Sequence, residues 1–272
     1  MLLGTILLGT LAAGIGSVWI AAVLSSGASA RYTQHMLSMA AGALLATAFM
    51  HLLPEAFESD IGPQRLFMVL LGGLVFFFLL DKAELWHHGH EHHQDFEPGP
   101  AASQHAHGHG QHAGATGQSK APVAGSWAVL AGDSVHCFGD GVMISSAFVA
   151  DTRLGIIAAL AVLAHEVPHH MGDLMVLRAG ANNRRVALVK VSLAGAVTAI
   201  GGLAGYWLVA QLQAYLPFFL VVASSSFVYV ALADLIPQLQ TRLGARQTAM
   251  QIAWLLAGIA LVSGVGSLMH GG

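Results

Sequence analysis

Apolar positions in this chain gather into eight long runs, separated by short polar breaks and by one long polar insert. The runs lie at about residues 2–24, 34–57, 65–86, 126–150, 154–178, 186–211, 217–239 and 248–270. A helix needs roughly 20 mostly apolar residues to cross a bilayer, and each run comes close to or passes that length. The pattern predicts an all-α polytopic membrane protein with eight spans. Glycines punctuate the runs, at Gly4, Gly9, Gly14 and Gly16 and again at Gly195, Gly201, Gly202 and Gly205. In lipid such residues let helix backbones approach one another, so packing is their expected role.

Composition agrees with this picture. The chain is 55% hydrophobic and 9% charged, with a mean hydropathy of +0.65. Soluble domains carry about 25% charged residues, so a soluble globular class is excluded. The first charge is Arg31, and without a basic leader segment the run at 2–24 reads as a retained first span. The single cysteine, Cys137, rules out an internal disulfide framework.

Charge fixes an expected orientation. With the N-terminus outside, the inner loops and their flanks hold Arg31, Lys82, Lys120, Arg178, Arg184, Arg185, Lys190, Arg242 and Arg246. The outer ones hold only Arg65 and Arg153. Nine against two is a strong positive-inside bias, and it predicts extracytoplasmic termini. The chain then divides into spans one to three (1–86), a cytoplasmic insert (87–124), spans four and five (125–179) and spans six to eight (180–272). The insert holds HHGHEHH at 87–93 and HAHGHGQH at 105–112, nine histidines among Pro, Gly, Ala and Gln. Such a composition cannot build a packed core, whereas His-rich tracts commonly bind metal. It reads as a disordered metal buffer or sensor.

The chemistry concentrates in His136–Asp173. Helix positions three or four apart share a face. His136 therefore stacks with Asp140, His165 with His169, and Glu166 with His170. Imidazole, carboxylate and thiolate are the ligands that zinc and neighbouring transition metals select. Inside a membrane span such groups are too costly to be incidental. His136, His165 and His169 favour one metal, while Cys137, Asp140 and Glu166 offer a second. Pro168 removes the hydrogen bond to the carbonyl of Ala164 and is expected to bend span five beside its own ligands.

Two further places carry polar groups inside apolar runs. His51 and Glu55 share a face of span two, next to Pro54, and read as a vestibule or pathway pair. Asp234 in span seven, followed by Pro237, is a candidate on the same ground. Asp81, Lys82 and Glu84 sit near an inner helix end, where side chains reach the interface cheaply, and are left out of any site.

His165-Glu-Val-Pro-His169 also matches HExxH, the signature of zinc hydrolases, so an intramembrane protease competes. Pro168 within the motif and the second ligand set on span four count against it. A non-transporting metal sensor is a further alternative. Read as a path, the groups make sense together, because a translocation site must desolvate an ion without trapping it. A dication crossing about 100 mV gains roughly 4.6 kcal/mol, twice the single-charge figure, so ATP is not required. No phosphate-binding loop of the GxxxxGK[ST] type is present.

At this point the residues resemble a family. HCFGDG at 136–141 is similar to the HNFxDG motif of the ZIP (Zrt/Irt-like) divalent metal transporters, and HEVPHHMGD at 165–173 to their HExPHELGD. HLLPEA at 51–56 resembles the family's second-span HLLPxA, and YVALADLIPQL its seventh-span pattern. The resemblance implies a 3+2+3 helical bundle with inverted symmetry and a binuclear centre between spans four and five. It implies uptake of Zn²⁺ into the cytoplasm, with Fe²⁺, Mn²⁺ or Cd²⁺ as other candidate substrates and no organic cofactor. The implied first-site ligands are His136, His165 and His169. Those of the second are Cys137, Asp140 and Glu166, with His169 a candidate bridge; His51 and Asp234 fall at pathway positions. The implied partners are divalent metal ions and the lipid of a plasma or inner membrane, with no nucleic acid and with a homodimer left open. Two positions depart from the motifs. Cys137 stands where the family has Asn, either as a soft ligand or as a buried neutral thiol. His170 stands where it has Glu, which changes the charge of the second site.

Overall fold

The computed structural model describes residues 1–25, 30–89, 123–181, 183–240 and 244–268. Among these residues it is built from eight helical rods. They are α1 (Leu2–Leu24), α2 (Tyr32–Phe57), α3 (Pro63–Gly89), α4 (Val123–Ala150), α5 (Thr152–Ala181), α6 (Arg184–Gln211), α7 (Gln213–Leu239) and α8 (Ala245–Leu268). Most of the histidine-rich insert lies outside the described residues. At its edges α3 runs on to Gly89, three residues beyond the expected end, and α4 begins at Val123.

Seven of the rods are long and apolar enough to cross a membrane. The eighth, α4, has the length, but Asp133, His136 and Asp140 lower its apolarity. The same residues that make α4 interesting chemically remove it from a count based on hydropathy.

Three rods contain a π-helical turn, at Ala12–Gly16 in α1, Ala48–Leu52 in α2 and Val230–Leu235 in α7. In α2 and α7 a proline follows closely, Pro54 and Pro237, and its missing N–H accounts for a locally widened ladder. Helix α5, by contrast, continues through Pro168. The break expected at 151–153 narrows to one residue. Asp151 alone separates α4 from α5, and its Oδ1 accepts from the backbone N–H groups of Arg153 (2.8 Å) and Leu154 (3.3 Å). This is an N-cap that satisfies two orphan donors of α5.

Burial sorts the rods. In the most apolar window of α2 and of α5, 72% of residues are buried, against 11% in α3 and 17% in α8. The first pair is interior and the second peripheral, with Phe67, Leu71, Phe76 and Leu79 of α3 exposed. Lipid is as apolar as these side chains, so cohesion comes from close packing rather than from escape from water. Leu44 and Leu52 of α2, Ile144 of α4, Val162 of α5 and Phe227 of α7 share the central cluster. A second cluster joins Val18 of α1, Leu130 of α4, Val167 and Met171 of α5 and Val191 of α6.

Glycine permits the tightest crossings. A methyl at Gly141 of α4 would lie 2.0 Å from the carbonyl oxygen of Thr198 of α6, and one at Gly201 of α6 2.1 Å from that of Phe138 of α4. Helices α2 and α8 repeat the arrangement, Gly42 against Leu255 O and Gly258 against Met39 O, both at 2.1 Å. The packing role expected of Gly201 is met, whereas Gly4 has nothing within 4 Å.

Candidate metal centre

The helical repeat brings Asp133, His136, Cys137 and Asp140 onto one side of α4. Helix α5 answers with His165, Glu166, His169, His170 and Asp173. Because the two helices are antiparallel and joined only at Asp151, residues early in α4 meet residues late in α5. Three groups of possible ligand atoms result: His136, Asp140, His165 and Glu166; Asp133, Cys137, Glu166 and His170; and Asp133, His169 and Asp173.

In the first group His165 Nε2 lies 3.2 Å from Asp140 Oδ2, 3.5 Å from Glu166 Oε1 and 3.3 Å from His136 Nε2. His136 Nε2 is 3.4 Å from Glu166 Oε1 and 3.9 Å from Asp140 Oδ2. In the second, His170 Nε2 is 3.1 Å from Glu166 Oε2 and 3.6 Å from Asp133 Oδ1, and Cys137 Sγ is 3.6 Å from the same Asp133 oxygen. Ligand bonds of about 2.0–2.3 Å place neighbouring donors of a tetrahedral zinc site roughly 3.3–3.8 Å apart. The distances above, 3.1–3.9 Å, fall close to that spacing.

Asp133, Cys137, Asp140, His165, Glu166 and His170 are all buried, and His136 and His169 form the open edge. Their rings stack with centroids 5.4 Å apart and planes 21° from parallel. Asp133 Oδ2, Asp140 Oδ2, both oxygens of Glu166 and His170 Nε2 are buried without a hydrogen-bond partner. Buried polar atoms are nearly always satisfied, so a set left open on one locus points to a cation as the missing partner. His165 is already oriented for one. Its Nδ1 lies 3.3 Å from the carbonyl oxygen of Ala161, which can only accept, so Nδ1 carries the proton and Nε2 presents its lone pair to the group.

The structure sorts the predicted ligands differently from expectation. Asp140 joins His136 and His165 rather than Cys137. His169 leaves that set for the third group, and the residue common to the first and second groups is Glu166. The reason is helical phase: Asp140 is one turn from His136, while Cys137 is one turn from Asp133. Asp133 and Asp173 were not among the expected ligands, although each stands four residues from one, Cys137 and His169 respectively.

The expected pathway residues lie outside the three groups. His51 sits in the π turn of α2 with its ring against Gly266 of α8, where an added Cβ would be 2.6 Å from Cε1. Glu55 is exposed in the short turn after Pro54. Asp234 is exposed in the π turn of α7 and accepts from Gln238 Nε2 at 2.8 Å.

Comparison with known proteins bears on what this centre serves. The pattern of the family described as ZIP Zinc transporter matches residues 1–266. Human zinc transporter ZIP4 is 30% identical over 279 residues, covering 85% of this chain and 42% of ZIP4. Zinc transporter ZIP13 of Pongo abelii is 27% identical over 283 residues, covering 94% of the chain and 76% of that protein. The chain thus spans less than half the length of its ZIP4 relative and about three quarters of ZIP13. With a match that runs nearly end to end over a bundle of apolar helices, the chain is a multi-pass integral membrane protein and belongs to the ZIP zinc transporter family.

Proposed function

We propose that this protein carries Zn²⁺ into the cytoplasm through a two-metal centre between α4 and α5. One ion is held by His136, Asp140, His165 and Glu166, the other by Asp133, Cys137, Glu166 and His170. The observation that carries the reading is Glu166, a buried carboxylate whose two oxygens face two donor groups at zinc-like spacing. Family membership and the names of the relatives support zinc as substrate. All eight rods cross the bilayer in this reading, in a 3+2+3 arrangement with extracytoplasmic termini, as the nine-to-two excess of inner basic residues favours. His51, Glu55 and Asp234 serve as waypoints, the first and last in π turns of the kind that recur at functional sites.

Inward movement follows from electrostatics. A dication falling through about 100 mV gains roughly 4.6 kcal/mol, close to a thousandfold in concentration. Neutral imidazoles bind without adding charge, while Asp133, Asp140 and Glu166 offset that of the ions. The protease alternative recedes because the family is one of transporters and because Glu166 faces ligand groups on both sides, leaving no oxygen reserved for a water.

The test is purified protein in liposomes loaded with a zinc dye. Influx that His165→Ala or Asp140→Ala abolishes supports the reading. Absence of influx in correctly inserted protein, with cleavage of a membrane substrate lost on Glu166→Gln, would replace it by the hydrolase.

A further inference from the structure

Ser17 of α1 lies 153 positions from His170 in sequence, yet its Oγ is 2.9 Å from His170 Nδ1, and both side chains are fully buried. The same Oγ lies 2.5 Å from the carbonyl oxygen of Gly14, within the π turn that precedes it. A hydroxyl has one proton, and a carbonyl can only accept. The proton of Ser17 therefore goes to Gly14, and toward His170 the hydroxyl can only accept. Nδ1 of His170 must then be the donor. In the neutral ring that leaves Nε2 as a lone pair, and Nε2 is the atom that faces Glu166, Asp133 and Cys137. It lies 3.1 Å from Glu166 Oε2 and 3.6 Å from Asp133 Oδ1, yet Nε2 has no hydrogen-bond partner.

From this geometry we propose that Ser17 is a positioning residue that locks His170 into the Nδ1–H tautomer, making His170 Nε2 a direct ligand of the second metal. The inference rests on the two-metal reading above and deepens it. Its chemical consequence is selectivity. A site of one thiol, one imidazole and two carboxylates favours Zn²⁺ and Cd²⁺ over Mn²⁺, since softer N and S donors select against the harder ion. The π turn at Ala12–Gly16 matters too, because it delivers the Gly14 carbonyl that claims the serine proton.

The experiment is nuclear magnetic resonance of the full chain in lipid nanodiscs, with ¹⁵N-labelled histidine and saturating ¹¹³Cd²⁺. His170 signals are assigned by their loss in His170→Gln. The expected result is a protonated Nδ1 and a scalar coupling from ¹¹³Cd to Nε2 of His170. A coupling to Nδ1, or none to His170 while Cd²⁺ is bound at saturation, would overturn the proposal. In Ser17→Ala, Cd²⁺ affinity at the second site should fall about 10- to 100-fold, as for other groups that orient a ligating histidine, with the His165 coupling retained. Equal loss at both sites would mean a general structural role and also overturn it. If Ser17→Ala does not fold, the spectrum of the unaltered protein still decides. Zinc influx into liposomes is scored separately: flux without a His170 coupling overturns this inference alone, and coupling without flux overturns transport alone.

Discussion

Asp140 of α4 and His165 of α5 bring a carboxylate oxygen and a ring nitrogen to 3.2 Å, with both side chains only 2% exposed. Both offer a donor atom to the first ligand group. Removing a ligating group should cost more than removing one that merely orients a ligand, which costs about 10- to 100-fold, so Asp140→Ala or His165→Ala should cut zinc flux by about a hundredfold or more. Initial rates of influx into liposomes measure this; a variant inserted normally with flux within about threefold of the parent would contradict it.

Glu166 belongs to two ligand groups, so Glu166→Gln should weaken both, whereas His136→Ala should weaken one. Calorimetric titration of the purified protein with Cd²⁺ separates the cases. The glutamine variant should lose affinity at both steps of the isotherm, and the alanine variant at a single step.

Cys137 is fully buried and faces Asp133, Glu166 and His170. Cys137→Asn, which exchanges the thiol for a neutral amide, should lower affinity for Cd²⁺ about tenfold or more while leaving Mn²⁺ nearly unchanged, because only the softer ion gains from sulfur. Equal changes for the two ions would mean that the thiol acts as a small apolar side chain.

The glycine crossings make a prediction about stability. Gly201→Ala forces a methyl against the carbonyl of Phe138 and should destabilise by about 1–3 kcal/mol, as overpacking does. Gly4→Ala meets nothing within 4 Å and should be neutral or slightly stabilising, since alanine is the better helix former. Thermal unfolding in detergent compares them, and equal shifts would refute the distinction.

Deletion of residues 90–119 removes most of the histidine tract and none of the described helices. Zinc flux should persist, with altered metal affinity or regulation. Complete loss of flux in a correctly inserted deletion protein would show that the tract belongs to the path.

The helices were legible because uninterrupted runs of about 20 apolar residues are a strong signal, and the pairs His136/Asp140 and Glu166/His170 followed from the 3.6-residue helical repeat. Asp133 and Asp173 were within reach of that rule, one turn beyond ligands already identified. The pairing along α4, His136 with Asp140 and Asp133 with Cys137, was within reach of it too; which residues of α5 each pair meets was not, because that depends on how α4 and α5 are rotated about their axes. Nor was Ser17, which meets His170 only through the packing of α1 on α5. Pro54 and Pro237 marked two of the π turns, but Ala12–Gly16 has no such flag in its sequence.

One residue, Asp151, joins the two helices that carry every proposed ligand, and it is tied into the start of α5 by two backbone contacts. Such a clasp has no slack: its arms cannot slide lengthwise past each other. In the two-metal reading, an ion held between them would move with the hairpin as a single part.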